Sequence, residues 1–305
     1  MSILINERTT FIVQGITGRE AVNLTRECLD YGKGAKVVGG VTPGRKGREV
    51  HGVPVFDTVG QAVENHGGPI DGSIVTVPPG FTKDAVIEAI ANGIKLLVIV
   101  TERIPRGDVA EMVEFADMHG ARIIGPNCLG LIVPEVCKMG GIGGPAQDAA
   151  KSYKPGVVGV MSRSGGMTTE ISSSLTAAGL GVSTAVSIGG DAIIGSTYAE
   201  LMPYFEADEE TKAIVIYTEP GGRMEAQLSE WRKANNSRLP IVAFMAGKFM
   251  DDDEMQGMSF GHAGTIVEGK EDSATEKILR LEEAGIKVVE RIDEIPEAVK
   301  ERINA

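Results

Sequence analysis

The chain encodes an α/β protein with two parallel sheets, and three observations say so. Short β-branched runs alternate with amphipathic helical stretches from end to end. The strand candidates are apolar throughout, as in strands covered on both faces. The pattern breaks once, near the middle, and then restarts. The 305 residues are long enough for two domains with separate cores.

The first set of strand candidates is FIVQG (11–15), KVVGGV (36–41), SIVTV (73–77), LLVIVT (96–101) and RIIGP (122–126). Between them, TKDAVIEAIANG (82–93) repeats Val86, Ala89 and Ile90 at helical spacing, with Gly93 placed as a C-terminal stop. The break falls at 131–155, a glycine- and proline-bearing connector. The second set is VVGVMSR (157–163), STAVSIG (183–189), AIVIYTE (213–219), PIVAFMAG (240–247) and IKVVE (286–290). A capping box, Ser273 with Glu276, opens the last main helix, which ends at Gly285. The domains are therefore 1–130 and 156–305. The longest stretch with no clear element is 248–271.

Composition narrows the function. A net charge of −12 argues against general binding of nucleic acid or an anionic membrane, while leaving room for a small anion at a local positive site. Three cysteines, Cys28, Cys128 and Cys137, form no CxxC pair and fit a reduced, cytoplasmic setting. The N-terminus has no signal-peptide layout, and no apolar run approaches the ~20 residues that span a bilayer. Glycine is abundant, 40 of 305 residues or about 13% against a usual ~7%, and it clusters after the strand candidates. That placement suits turns where backbone approaches a ligand.

Several such turns carry chemistry. VQGITGRE (13–20) joins the first strand to a helix, where free backbone amides bind phosphate. Its Gly15-x-x-Gly18 spacing lacks the full dinucleotide fingerprint, which weighs against a nicotinamide oxidoreductase, and a plain tight turn is the simpler alternative. TPGRKGRE (42–49) adds Arg45, Lys46 and Arg48 and, beside the first loop, suits an extended polyphosphate; a solvated charge run is its plain reading. SRSGGMTTE (162–170) repeats the strand-to-helix turn, with Ser164 either an anion contact or only an N-cap. Met167, Ile171, Leu175 and Ala178 form the inner stripe of the helix that follows. In YTEPGG (217–222), Glu219 stands at a strand's C-terminal end, where a carboxylate can orient a histidine. Cys128 in GPNCLG reads better as a buried filler than as a reactive thiol. The chain has four histidines, and His262 sits between glycines in SFGHAGTIVEG (259–269), where an ordinary loop histidine and a chemical one are both open.

Taken together, QGITG, VGGVTPG, GIKLLVIVTE, IGPNCLG, SRSGG, SIGGD, TEPGG and GHAG resemble, over nearly the full chain, the α subunit of succinyl-CoA synthetase. The resemblance implies a Rossmann-like coenzyme A domain followed by a flavodoxin-like ligase domain. It implies an acid–thiol ligase that forms an acyl-CoA from a di- or tricarboxylic acid, coenzyme A and ATP or GTP. It makes His262 the phospho-acceptor, Glu219 its carboxylate partner, and Ser164, Gly165, Gly166 and Thr169 the phosphate and acid contacts. Thr17, Gly18, Arg19, Glu20, Arg45, Val100, Thr101 and Glu102 fall where the family contacts coenzyme A. The nucleotide with its Mg²⁺ belongs mainly to a β subunit with an ATP-grasp domain, and no metal site is expected on this chain. Arg45 stands for the family's lysine and Thr169 for a tyrosine. DDDE (251–254) is acidic where the family is basic. SRSGGM and FGHAG are similar to the citryl-CoA synthetase and ATP-citrate lyase branch, so citrate competes with succinate. A non-catalytic coenzyme A sensor is the alternative outside the enzymes.

Overall fold

The computed structural model describes residues 3–33, 36–252, 262–267 and 272–304. In the first half, β1 (Thr10–Gln14), α1 (Arg19–Leu29), β2 (Lys36–Val41), β3 (Glu49–Val50), β4 (Val53–Phe56), α2 (Val59–His66), β5 (Gly72–Val75), α3 (Pro79–Ala91), β6 (Leu96–Ile99), α4 (Arg106–Met118) and β7 (Arg122–Ile124) follow one another. Their sheet has the order β3-β4-β2-β1-β5-β6-β7. All pairings are parallel except β3 with β4. Setting β3 aside, this is the doubly wound order in which the chain reverses direction between β1 and β5. The five expected strands are present, and the short β3–β4 ribbon is an addition.

The second half begins with β8 (Gly130–Val133), β9 (Cys137–Met139), α5 (Ala146–Ser152), β10 (Pro155–Ser162), α6 (Gly165–Ala177) and β11 (Val182–Ser187). It continues with α7 (Tyr198–Ala207), β12 (Ala213–Thr218), α8 (Met224–Asn235), β13 (Ile241–Met245), a 3-10 turn at Lys248–Asp251, α9 (Ala274–Glu283), β14 (Lys287–Val289) and α10 (Ile295–Ile303). Its sheet runs β14-β13-β12-β10-β11-β8-β9. The parallel part, β11-β10-β12-β13-β14, has the flavodoxin-like order, with its switch point between β10 and β12.

One expectation is corrected. The stretch 131–155 is no mere connector: β8 pairs antiparallel with β11, and β9 with β8, extending the second sheet. Leu131, Ile132 and Met139 are fully buried there. The strands are too short, and too interrupted by Pro134, to show a period of two.

Helices are amphipathic where the sequence says they are. On α1 the buried residues are Ala21, Leu24, Thr25 and Cys28, a stripe at helical spacing. On α6 they are Thr168, Ile171, Ser172 and Leu175, while Met167 and Ala178 are only half-buried. Apolar side chains form a layer on each outer face, and a third layer is shared by both sheets. Phe11, Val13 and Ile124 of the first pack in one cluster with Met161, Val186 and Ile188 of the second. No described helix is long and apolar enough to cross a membrane.

Ser273 accepts a bond from the Glu276 amide at 3.2 Å, as its place before the last main helix predicts. Asp251 caps the same helix end, its carboxylate accepting from the Ala274 and Thr275 amides, each at 2.8 Å. The first acid of DDDE thus sits on the positive end of α9. Asp253 and Glu254 lie outside the described residues, as do Ser259, Phe260, Gly261, Glu268 and Gly269.

Leu175 is fully buried in the layer between α6 and the second sheet. Leu175→Ala should therefore cost about 2–5 kcal/mol, read as a lower midpoint in urea unfolding.

Candidate active site

Both sheets present their carboxyl ends to one region. In the first, the loops after β1, β2 and β6 hold the residues expected to meet coenzyme A. Gly15 turns the chain at φ +85°, its Cα so near the Thr76 hydroxyl that a Cβ would approach to 2.8 Å. Gly18 then caps α1 without a side-chain bond, leaving first-turn amides at the positive helix end. Thr17 lies 3.3 Å from the Thr42 hydroxyl, which ties the first loop to the second. The Arg45 amide donates to Asp57 at 3.1 Å while its side chain is exposed. Arg19 and Glu20 are likewise exposed and pair with each other at 3.2 Å. The Val100 amide donates to the Val75 carbonyl, and the Thr101 hydroxyl to that of Val77. Glu102 projects outward. These groups share one edge and offer backbone amides with positive charge nearby, a set that fits a phosphate-bearing cofactor.

In the second sheet, Glu219 follows β12 at the switch point, 8% exposed. His262 comes from 43 residues away and places Nδ1 at 2.8 Å from Glu219 Oε2. With the carboxylate ionised, Nδ1–H donates to it and the lone pair falls on Nε2. The ring lies flat on Gly190, where a Cβ would meet Cδ2 at 2.5 Å. Behind it, the Gly264 amide donates to the Gly190 carbonyl at 3.1 Å, and the Thr265 hydroxyl to the His262 carbonyl at 2.7 Å. The histidine is thus neither a packed core ring nor a free loop residue.

Ser164 is the N-cap of α6, its hydroxyl accepting from the Met167 amide at 3.4 Å. The amides of Gly165 and Gly166 open the helix next to β10, across the switch point from Glu219. Thr169 faces inward, its hydroxyl 2.9 Å from that of Tyr153. Cys128 is buried and bonds to the Ile99 carbonyl, and burial pushes its thiol up to about 12, which suits a filler rather than a nucleophile.

Four further residues build the site. Lys277, 2% exposed, reaches under the turn after β12, donating to the carbonyls of Glu219 and Gly221 and to Glu225 Oε2 at 2.6 Å. Glu225 is itself wholly buried and accepts from Thr218. Arg163, 1% exposed, donates through Nη2 to the carbonyls of Gly190 and Asp191, at 3.3 and 3.1 Å. Its Nε and Nη1 have no hydrogen-bond partner among the described residues. Asn127, at φ +56°, donates its amide to the Thr101 carbonyl and accepts from Gly190, so it ties the two sheets together. The sequence signal for Lys277 is a lysine on the buried stripe of α9, with Ala274 and Leu281. Arg163 and Asn127 stand inside the glycine-turn motifs, but nothing in their spacing marks them.

Comparison with known proteins bears on the two halves and on the family. The CoA binding domain family matches residues 6–103, and the family described as succinyl-CoA ligase like flavodoxin domain matches residues 155–300. Succinate–CoA ligase [ADP-forming] subunit alpha 2 of Archaeoglobus fulgidus is 43% identical, covering 99% of each chain. The corresponding subunit alpha of Staphylococcus aureus is 39% identical over 97% of this chain and 93% of its own. A subunit of an ADP-forming sulfoacetate-CoA ligase from an Acholeplasma species is 38% identical, over 99% and 98%. Among solved structures, the ATP citrate lyase of Methanosaeta concilii superposes with a TM-score of 0.90 at 22% identity. That match covers 99% of this chain and half of the lyase, and it speaks for the fold alone.

Two substitutions test this geometry. Gly190→Ala should push the imidazole off its seat and lower turnover by about 10²-fold, the cost of a 1 Å misplacement, with little change in melting temperature. Lys277→Met should destabilise the chain by about 3–5 kcal/mol by stranding Glu225, and Glu225→Leu in the same chain should recover part of that in denaturant unfolding. By its sequence relatives and its two family matches, the chain belongs to the succinate–CoA ligase α-subunit family.

Proposed function

We propose that this chain is the α subunit of an ADP-forming acid–CoA ligase in which His262 carries the phosphoryl group between nucleotide and acid. The observation that carries the reading is the 2.8 Å contact of His262 Nδ1 with Glu219 at the switch point of the second sheet. Glu219 fixes the tautomer and stabilises the imidazolium that forms as Nε2 attacks the γ-phosphorus of ATP and ADP leaves. The amides of Gly165 and Gly166, at the positive end of α6, face the charge on the transferred group. The acid's carboxylate then takes the phosphoryl group from Nε2, and the thiol of coenzyme A displaces phosphate from the acyl phosphate.

The first sheet's loops, from Thr17 to Glu20 with Arg45 and Val100 to Glu102, bind coenzyme A in this reading. A β subunit with an ATP-grasp domain holds the nucleotide and its Mg²⁺, which offsets phosphate charge there. Among the described residues no three His, Cys, Asp or Glu side chains gather as a metal site. The acid is succinate by the names of the 43% and 39% relatives, with sulfoacetate and citrate as the alternatives to assay. Division into a coenzyme A half (1–130) and a phosphohistidine half (156–305) and a cytoplasmic setting, consistent with three buried free cysteines, complete the proposal.

The test uses the complex with the β subunit, γ-labelled ATP and each acid in parallel. Label should enter His262 and chase into phosphate on adding acid and coenzyme A. His262→Ala should abolish both, and Glu219→Gln should slow labelling by about 10²-fold or more. Turnover surviving in His262→Ala overturns the reading.

A further inference from the structure

A cavity of about 190 Å³ lies between the two sheets' carboxyl ends. Glu102 and Arg103, from the segment after β6, form one wall, and Asn127, Asp191 and Ala263 form the other. Ala263 is the neighbour of His262, so the space connects the segment assigned to coenzyme A with the phosphoryl carrier. A thiol delivered from the first sheet to an acyl phosphate at the second has to pass through such a place.

Asp191 is the carboxylate held there. It is 8% exposed, with Oδ1 accepting from the Asn127 side chain at 3.1 Å and its carbonyl gripped by Arg163. One bond holds the carboxylate through Oδ1 and the other holds the residue's main chain, and Asp191 lines the cavity. The alternatives are engaged or solvated: Glu219 is committed to His262, and Glu102 is 58% exposed beside Arg103. We propose that Asp191 is the base that takes the thiol proton of coenzyme A in the thioester-forming step. This rests on the function proposed above. In that step the S–H proton passes to Asp191, the sulfur lone pair forms the C–S bond, and the C–O bond to phosphate breaks. Phosphate leaves with the electron pair, and Asp191 returns its proton to solvent. In reverse, protonated Asp191 neutralises the departing thiolate.

The surroundings suit a base. Burial, foremost, and Glu102 raise its pKa above the ordinary carboxylate range, against the Asn127 bond and the charges of His262 and Arg163. Arg103 and Arg106 also face the cavity. A raised pKa narrows the gap to the thiol, which is a far weaker acid than a carboxyl group. The group is an ionised base above that raised value and loses its function as pH falls through it.

The experiment compares wild type, Asp191→Asn and Asp191→Glu, each as the complex with its β subunit. Three readouts are followed: label transfer from ATP to His262, hydroxamate formation with the acid, ATP and hydroxylamine, and thioester formation with coenzyme A. Hydroxylamine attacks without losing a proton first, so it bypasses the base. Asp191→Asn should keep the first two and lose about 10²–10⁴-fold of the third. Its thioester rate should then climb about tenfold per pH unit as the thiol ionises, because preformed thiolate needs no base. Asp191→Glu should recover part of the neutral rate. Loss of labelling or hydroxamate in Asp191→Asn, or a thioester defect that alkaline pH leaves in place, overturns the assignment and makes Asp191 structural. A wild type that takes no label fails the proposed function instead.

Discussion

Asn127 is the residue on which the arrangement turns. It sits in the five-residue crossing from β7 to β8 with a left-handed backbone, a conformation that asparagine tolerates better than most residues. From there its amide holds the Thr101 carbonyl, its carbonyl holds the Gly190 amide, and its side chain holds Asp191. Thr101 belongs to the loop after β6 and Gly190 is the seat of the His262 ring. Two sheets with separate switch points are thereby set in register at their carboxyl ends, which neither sheet could achieve alone. A β-branched residue here would strain the turn that holds the two backbone contacts and would lose the side-chain contact to Asp191 outright.

Around that junction, buried charge replaces bulk as the stiffening material. Lys277 donates to two carbonyls of the turn after β12 and to Glu225 of α8, and Glu225 accepts from both Lys277 and Thr218. Such a pair contributes little net stability, because desolvation offsets attraction, but it defines one geometry for Glu219. Arg163 differs. Two of its nitrogens lack a described partner, and what its charge meets is the carbonyls of Gly190 and Asp191 with the Asp191 carboxylate nearby. A cation left this way beneath Gly190 and Gly264 biases the site toward anions.

The long β-branched runs were legible in the sequence because each is a largely buried parallel strand, and the glycine turns after them marked the ligand edge. Strands β8 and β9 were not legible, since four and three residues give no periodicity, β8 finds its partner β11 only far downstream, and β9 pairs with β8 alone. Glu219 and His262 were visible singly, but their contact spans 43 residues and nothing local specifies it. Lys277 carries a local signal, a cation standing in an otherwise apolar stripe. Asp191 and Arg163 stand within recognisable motifs, yet their work depends on burial, which a linear pattern does not reveal.

The apolar layer shared by the two sheets carries a consequence for how such proteins can be rearranged. Because Phe11 and Ile124 rest in the same cluster as Met161 and Ile188, neither half owns its inner surface. Separating them would wet that surface on both sides, as parting the subunits of an obligate dimer would. Recombination between relatives therefore has to exchange the halves as a matched set, or repack the seam. Changes in what the enzyme acts upon are correspondingly easier to make in the loops at the carboxyl ends, where no shared core is disturbed.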